Sequence, residues 1–170
     1  MNIILTQEQT IRALKRMSHQ LLEMDYEIQD IILCGIKEKG YVVAQKIKEY
    51  MDEFASSNIT LYPLEIKPFR DDEKRDLSAS ITHMNVDQKV VILIDDVIFT
   101  GRSTRAAIDA VLHEGRPNVI KLAALIDRGH RELPIKPDVV GKNIPTSMKD
   151  HVSFNILTLE VIVDENNETR

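Results

Sequence analysis

Apolar residues near the amino terminus recur every three or four positions, which is the spacing of one face of a helix. They are Ile11, Leu14, Met17, Leu21 and Leu22. Thr6 and Gln9 precede them with the spacing of a capping box, in which each side chain bonds the backbone N–H of the other residue. The pattern therefore predicts an amphipathic helix that begins after Thr6 and extends to about Tyr26.

Continuous apolar runs rich in Val and Ile alternate with helical segments along the middle of the chain. Such runs are typical of strands that are buried on both faces. We predict strands at 30–36, 59–67, 90–94 and 119–126, and helices at 41–54 and 103–113. This alternation predicts an α/β fold, with a central, mostly parallel sheet flanked by helices. Beyond residue 127 the helical pattern ends, and we expect shorter antiparallel strands at 139–140 and 152–163.

The segment 68–87 differs from the rest of the chain. It contains a densely charged run, 70–76, and it is long for a connection between two regular elements. We expect it to be a flexible loop, the hood, within a single domain that covers residues 1–170. We also expect residues 164–170 to fray, since the tail is acidic and weakly patterned.

Composition narrows the class of protein. Of 170 residues, 43% are hydrophobic and 29% are charged, with a formal net charge of −5. These values are typical of a globular domain. The negative net charge argues against a protein that binds nucleic acid over its whole surface. The single cysteine, Cys34, excludes an internal disulfide and thiol-rich metal sites. No apolar run approaches the roughly 20 residues of a membrane-spanning helix, so the sequence predicts a cytoplasmic protein without a membrane partner.

The clearest chemical signal lies where the apolar run 90–94 ends. Asp95 and Asp96 follow directly, and Thr-Gly-Arg-Ser-Thr at 100–104 opens the next predicted helix. Open α/β sheets bind ligands at the carboxyl ends of their strands. A glycine-containing loop before a helix offers backbone N–H groups and hydroxyls to a phosphate, and carboxylates accept hydrogen bonds from vicinal hydroxyls. The pattern favours a ribose 5-phosphate group over a simple capped helix beside two solvated aspartates.

This segment resembles the phosphoribosyl-diphosphate (PRPP) signature of the type I phosphoribosyltransferases. Two later segments, 127–135 and 141–147, read Asp-Arg-Gly-His-Arg-Glu-Leu-Pro-Ile and Gly-Lys-Asn-Ile-Pro-Thr-Ser. They are similar to the PyrR branch of that family, which combines uracil phosphoribosyltransferase activity with attenuation of pyrimidine operons. The resemblance covers about residues 7–163. It implies the type I phosphoribosyltransferase fold, conversion of uracil and PRPP into UMP and pyrophosphate, and a homodimer or higher homo-oligomer.

The resemblance also implies roles for matched residues. Asp95 and Asp96 would hold the ribose hydroxyls of PRPP, and together with Arg70 they form the implied catalytic set. The residues implied to bind the 5-phosphate are Thr100, Gly101, Arg102, Ser103 and Thr104. Those implied to contact the pyrophosphate are Lys37, Lys39 and Gly40. Mg²⁺ would arrive as a cofactor on the pyrophosphate, since it needs few protein ligands, and no separate metal site is implied.

Three substitutions depart from the usual pattern of the family. Glu38-Lys39-Gly40 stands where members read Thr-Arg-Gly, Pro68-Phe69 replaces Leu-Tyr, and Phe99 replaces tyrosine. Glu38 places a negative charge beside the expected pyrophosphate, and lysine lacks the two-pronged hydrogen bonding of arginine. Two alternatives therefore stay open: an RNA-binding nucleotide sensor with weak or no transferase activity, and a phosphoribosyltransferase for another base.

Basic residues predict a second binding surface. The polar stripe of the first predicted helix contains Arg12, Lys15, Arg16 and His19, and the later motifs contribute Arg131, Lys136 and Lys142. We expect these residues to form one basic face on an otherwise acidic protein. The resemblance implies that this face binds the leader mRNA of a pyrimidine operon under the control of UMP or UTP. For the helical stripe the alternative is an ordinary solvated helix face.

Overall fold

The computed structural model describes residues 1–72 and 83–165. Within these ranges, eight strands and three α-helices follow one another as β1 (Asn2–Leu5), α1 (Gln7–Leu22), β2 (Ile31–Ile36), α2 (Lys39–Ala55), β3 (Thr60–Leu64), β4 (Val90–Ile98), α3 (Arg102–Glu114), β5 (Val119–Asp127), β6 (Val139–Asn143), β7 (His151–Phe154) and β8 (Val161–Asp164). None of the described helices has the length and apolar character needed to cross a bilayer.

Five of the strands form a parallel sheet in the order β3-β2-β4-β5-β6, with β4 at its centre. The predicted α/β fold is therefore confirmed. The prediction that 139–140 belongs to an antiparallel strand is wrong, because β6 runs parallel to β5. Residues 128–138 lead the chain back along β5, so that β6 can begin beside it. Asp138 holds the end of this connection against β5. Its backbone N–H donates to the Leu122 carbonyl at 2.8 Å, and its carboxylate accepts from the Leu122 N–H at 2.9 Å.

The remaining strands form a small antiparallel sheet in the order β1-β8-β7. The antiparallel prediction for 152–163 is confirmed, although the stretch divides into two strands joined by a turn at 155–160. Sequence reasoning missed β1, whose four residues are too few to show an alternating pattern. Asn2 pairs with Val163, so the first and last strands are neighbours.

The core lies on both faces of the parallel sheet because side chains alternate along each strand. On β4, Val90 and Ile92 pack toward α1 and α2, whereas Val91 and Leu93 pack toward α3. Cys34 on β2 is fully buried on the α3 side. Burial raises the pKa of its thiol to about 12, which makes it an unreactive packing residue.

The amino-terminal helix begins as predicted. The Thr6 hydroxyl accepts from the Gln9 N–H at 3.3 Å, and the Gln9 side chain accepts from the Thr6 N–H at 2.9 Å. This capping box satisfies two amide groups that would otherwise lack a partner. The helix ends at Leu22, a full turn before the predicted Tyr26.

The two ends of the predicted hood belong to the core. Pro68 and Phe69 at its start are buried, as are Met84 and Val86 at its end. The middle of the predicted hood, 73–82, and most of the predicted frayed tail, 166–170, lie outside the described residues. Asp164, also predicted to fray, is the last residue of β8.

Candidate active site

Two adjacent carboxylates stand at the carboxyl end of the central strand β4. Asp95 is 7% exposed and Asp96 is half-buried. The Asp95 carboxylate accepts a hydrogen bond from the Asp96 N–H at 2.9 Å. Burial raises the pKa of Asp95 well above its usual value, and the nearby charge of Asp96 raises it further. A buried carboxylate held beside a second one is costly, which is typical of a functional site.

The phosphate loop, residues 100–104, follows at the end of β4 and leads into α3. Gly101 has φ +92°, a left-handed conformation that glycine adopts without steric cost. The Arg102 N–H donates to the Thr100 hydroxyl at 3.3 Å, and the Thr104 side chain is buried. The N-cap residue, Gly101, has no side chain with which to cap the N–H groups that follow Arg102. The first-turn N–H groups of a helix have no partner within it, so this loop offers them to an anion.

A second loop, 37–40, approaches the carboxylates from the end of the neighbouring strand β2. The peptide bond between Lys37 and Glu38 is cis, and the Lys37 N–H donates to the Leu64 carbonyl at 3.0 Å. A Cβ atom at Gly40 would lie 2.8 Å from the carbonyl oxygen of residue 94 and 3.0 Å from the Asp95 carboxylate. The close approach of this loop to Asp95 therefore requires glycine.

These elements surround two adjoining cavities. The larger, of about 470 Å³, lies between the 37–40 loop, Arg70 and the two carboxylates. The smaller, of about 290 Å³, lies between Arg70, Asp95 and the phosphate loop. All the residues predicted for PRPP binding and catalysis line one cavity or the other: Lys37, Lys39, Gly40, Arg70, Asp95, Asp96, Thr100, Gly101, Arg102, Ser103 and Thr104.

Arg70 joins the two cavities. Its guanidinium donates to the Ser103 hydroxyl at 3.0 Å and makes two hydrogen bonds, at 2.8 and 2.7 Å, to the carboxylate of Asp72. These bonds lower the pKa of Asp72. The start of the hood, residues 70–72, which we call its stem, is thus bonded to the phosphate loop although Arg70 and Ser103 lie 33 residues apart in the sequence.

Sequence reasoning missed several lining residues. Glu65 and Lys67 follow β3 directly and line the larger cavity. The sequence analysis predicted a strand over 59–67, which put Glu65 inside the strand and Lys67 at its last position, whereas β3 ends at Leu64. The carboxyl ends of parallel strands share one sheet edge, so the correct end of β3 would have identified them. Val97, which lines both cavities, carried no chemical signal in the sequence.

Arg131 of the first late motif makes structural contacts within the protein. Arg131 donates to the carbonyls of Phe99 and Ile135, at 2.8 and 2.7 Å, and to the Asp127 carboxylate at 2.6 Å. Its side chain packs beside Gly101. The guanidinium is engaged inside the protein, contrary to the expectation that it belongs to an open basic face.

Arg16 connects α1 to the sheet. Its guanidinium donates to the carbonyls of Val140, at 3.2 Å, and Gly141. This contact explains how a helix near the amino terminus comes to lie against β6. The basic stripe and one of the late motifs therefore meet in space, a proximity that the sequence alone does not reveal.

The other basic residues of α1 are exposed. Arg12 forms an ion pair at 3.4 Å with Glu8, one helical turn earlier. The Lys15 ammonium lies 5.5 Å from the centre of the Tyr50 ring. His19 stacks on Phe54, with the ring centres 3.9 Å apart. The stripe is thus a charged surface with an aromatic pair at its end.

The sheet separates the basic residues into two groups. A Cβ atom at Gly141 would meet Met17 of α1, so Gly141 faces that helix. Lys142 is the next residue on β6, and its side chain faces the opposite side because side chains alternate along a strand. Lys136 is exposed just before β6. The expected single basic face is therefore not formed by all seven residues.

The sequence matches known proteins over most of its length. A family model described as "Phosphoribosyl transferase domain" matches residues 1–158. The chain is 46% identical over 150 residues to a protein of Clostridium acetobutylicum named bifunctional protein PyrR, covering 85% of this chain and 84% of the relative. It is 42% identical over 149 residues to a protein of the same name from Streptococcus pneumoniae, covering 88% and 86%.

Solved structures agree on the fold. Hypoxanthine phosphoribosyltransferase of Trypanosoma cruzi, in complex with its product IMP, superposes with a TM-score of 0.78 at 16% identity and covers 96% of this chain and 94% of that one. A hypoxanthine-guanine phosphoribosyltransferase of Bacillus anthracis gives a TM-score of 0.68 at 20% identity, covering 85% and 82%. Such low identities bear on the fold alone.

Proposed function

The chain belongs to the phosphoribosyl transferase family, and within it to the PyrR proteins, and on that basis we propose that it transfers the phosphoribosyl group of PRPP to uracil. In this reaction the bond between ribose C1 and the pyrophosphate oxygen breaks. A bond between C1 and N1 of uracil forms, and the N1 proton is released. The products are UMP and pyrophosphate.

The observation that carries this proposal is the position of Asp95 and Asp96 beside the phosphate loop, with Asp95 lining both of the adjoining cavities. The carboxylates accept hydrogen bonds from the ribose hydroxyls, and the loop N–H groups hold the 5-phosphate. With both ends of the sugar fixed, C1 is held toward the 37–40 loop. The protein thus contributes positioning, charge stabilisation and exclusion of water.

Mg²⁺ fits this site as a companion of the pyrophosphate. Across residues 1–72 and 83–165, no group of three or more His, Cys, Asp or Glu side chains is arranged to hold a metal ion. Mg²⁺ commonly binds through substrate phosphates and one or two carboxylates, so the pyrophosphate oxygens together with Asp95 or Asp96 would suffice to hold it. When bound, Mg²⁺ neutralises charge on the departing pyrophosphate. The ammonium groups of Lys37 and Lys39 line the same cavity and add to that neutralisation.

We also propose that the protein binds the leader mRNA of a pyrimidine operon and that UMP or UTP in the same site controls this binding. The exposed residues Arg12, Lys15 and His19 on α1 support a contact with RNA phosphates and bases. Lys142 would act from the other side of the sheet, and the exposed Lys136 would act from the segment just before β6. Arg16 and Arg131 would position their surroundings, since both guanidinium groups bind backbone carbonyls.

A nucleotide sensor without turnover is the second candidate function. The larger cavity is lined by the acidic residues Glu38, Glu65 and Asp72 in addition to the aspartate pair. These charges disfavour a pyrophosphate more than they disfavour a nucleoside monophosphate, which needs only the smaller cavity and the carboxylates. The same architecture would then bind UMP and catalyse little.

A direct assay separates these functions. UMP formation is measured from PRPP, Mg²⁺ and uracil, with hypoxanthine, guanine and adenine in parallel. We expect turnover with uracil. Turnover with another base alone would contradict the uracil assignment. No turnover, together with a rise in melting temperature on addition of UMP, would favour the sensor.

The same proposal places the protein in the cytoplasm as a homodimer or higher homo-oligomer. The buried thiol of Cys34 is compatible with a reducing compartment. Leu112 and Leu157 are exposed apolar side chains that a second copy would cover. Light scattering coupled to size-exclusion chromatography measures the oligomeric state directly, and a monomer at micromolar concentration would contradict it.

A further inference from the structure

The cationic side chain of the phosphate loop is paired on two sides. Arg102 Nη1 donates to the Asp71 carboxylate at 2.7 Å. Its Nε and Nη2 both donate to the Glu132 carboxylate, at 3.3 Å. Glu132 and Asp71 together raise the pKa of Arg102. The guanidinium that lines the smaller cavity is therefore already neutralised by the protein's own carboxylates.

The two carboxylates are held in different ways. Glu132 is anchored to the phosphate loop itself, because its backbone N–H donates to the Thr100 carbonyl at 2.9 Å. Asp71 lies in the stem of the hood, residues 70–72, which contacts the loop through side chains: Asp71 through Arg102, and Arg70 through Ser103. The bond to Glu132 is thus part of the loop's own structure, whereas the bond to Asp71 joins the loop to a separate segment.

We propose that Asp71 sets the affinity of the smaller cavity for phosphorylated ligands by competing with the ligand phosphate for Arg102. The proposal rests on the proposed function, which places a 5-phosphate at this loop. A phosphate takes Arg102 Nη1 from Asp71, while Glu132 keeps Nε and Nη2 and holds the side chain in place. Asp71 therefore acts as an internal anion that every phosphorylated ligand displaces.

The competition is specific to the phosphate group. Removing the Asp71 charge weakens its hydrogen bond to Arg102 Nη1 and leaves the cavity more positive, which favours a dianion. A ligand that has the same base and sugar but no phosphate gains nothing from the change. Asp71 thereby reduces the affinity for nucleotides without affecting recognition of the nucleoside part.

The test compares Asp71→Asn with the wild-type protein by isothermal titration with UMP and with uridine. We expect UMP to bind about threefold to tenfold more tightly to the variant, since the competing pair is partly exposed, and uridine affinity to be unchanged. Asp109→Asn is the matched control. Asp109 pairs with Arg105 at 3.0 Å on the same helix, and its side chain is 37% exposed against 41% for Asp71.

Each outcome decides. If wild-type protein binds UMP and Asp71→Asn binds it equally or more weakly, the role of Asp71 is overturned and the proposed function stands. If Asp109→Asn tightens UMP binding as much as Asp71→Asn does, the effect is general electrostatics and the competition is overturned. If wild-type protein and both variants fail to bind UMP, the proposed function falls, and this inference falls with it. Unfolding midpoints of the three proteins verify that each is folded.

Discussion

The guanidinium of Arg128 lies over the ring of Phe99, with its central carbon 4.0 Å from the ring centre. Arg128 is 6% exposed and donates to the Thr146 hydroxyl at 3.2 Å and the Ser147 carbonyl at 2.8 Å. His130 meets the same ring edge-on at 6.1 Å. Segment 128–130 thus contacts Phe99, the residue that precedes the phosphate loop, and segment 146–147 supports that contact through Arg128.

Arg128 and Phe99 are predicted to be energetically coupled. Burial lowers the pKa of Arg128, so the folded protein retains this cation at a cost that the ring offsets. A double-mutant cycle with Arg128→Met and Phe99→Leu should give a coupling energy of about 0.5–2 kcal/mol in urea unfolding.

The exposed Lys15 and the buried Tyr50 provide the comparison, because the Lys15 ammonium lies farther from the ring centre, at 5.5 Å. The cycle with Lys15→Met and Tyr50→Leu should give a smaller coupling energy. Additivity of the Arg128 and Phe99 substitutions within about 0.3 kcal/mol would show that the two side chains are merely adjacent.

Asp95 is predicted to lower stability while it serves binding. Because its folded-state pKa is raised, the folded protein binds more protons than the unfolded chain between the two pKa values. Stability therefore falls as pH rises through this window, and the loss is complete above the folded-state pKa. Asp95→Asn removes the charge but keeps an oxygen to accept from the Asp96 N–H.

We expect Asp95→Asn to melt at a higher temperature than wild type at pH 8. The rise should be about 2–4 °C for each kcal/mol by which the substitution increases the free energy of unfolding. The difference should shrink as the pH falls toward about 4, near the pKa of an unfolded Asp, and should vanish below it, where the carboxyl group is protonated in both states. The variant should also lose affinity for UMP. Equal melting temperatures at every pH would mean that Asp95 titrates like a solvated carboxylate.

The acidic residue in the 37–40 loop is predicted to limit catalysis. Replacing Glu38 by Thr together with Lys39→Arg removes a negative charge from the larger cavity and adds a two-pronged donor for the pyrophosphate. We expect kcat/KM for PRPP to rise about tenfold, which corresponds to about 1.4 kcal/mol. UMP lacks the pyrophosphate, so its affinity is the internal control and should not change. A fall in kcat/KM would show that Glu38 helps the reaction.

Charge reversal on α1 is predicted to weaken RNA binding. Arg12→Glu with Lys15→Glu is the informative pair, since Arg16 bonds the backbone of β6 and its loss would disturb the fold. We expect affinity for a pyrimidine-operon leader RNA to fall at least tenfold. The slope of log K against log salt should become shallower by about 0.7–0.9 for each RNA phosphate that the variant no longer neutralises.

Lys89→Glu is the matched reversal for this experiment. Lys89 immediately precedes the central strand β4, lies outside α1, and pairs with Asp30 at 3.8 Å. It should leave RNA affinity unchanged. Unaltered RNA binding in the α1 double variant would show that this stripe is an ordinary solvated surface. A loss in Lys142→Glu alone would transfer the site to the other side of the sheet.

The phosphate loop was predictable because all its features are local. A buried strand, the carboxylates and Gly101 occur within 15 consecutive residues, and short-range geometry fixes their arrangement. The 37–40 loop was located only through family resemblance, since its approach to Asp95 depends on the parallel pairing of β2 with β4.

Long-range side-chain pairing was not predictable. The sequence gives no sign that Arg70 reaches Ser103 or that Arg131 reaches back to Phe99. Both pairings follow from how the elements pack. A sequence motif does not show whether its charged residue binds a ligand or a backbone carbonyl of the same protein. The split basic face has the same origin, because the side of the sheet on which Lys142 emerges depends on the register of β6.

The pairing of β1 with β8 gives the folding of this protein a built-in order. Residues 2–5 are synthesised before residues 161–164, yet the small sheet closes only when both are present. The five-stranded sheet uses none of these residues, and its strands are all made earlier. Contacts between such distant parts of a chain form late, because closing a long loop costs entropy that only the finished contact repays. Until then Leu5 and the apolar side chains of β8 lack their final partners. The partly folded chain therefore exposes apolar side chains and unpaired strand edges, which favour binding by chaperones and aggregation with other copies.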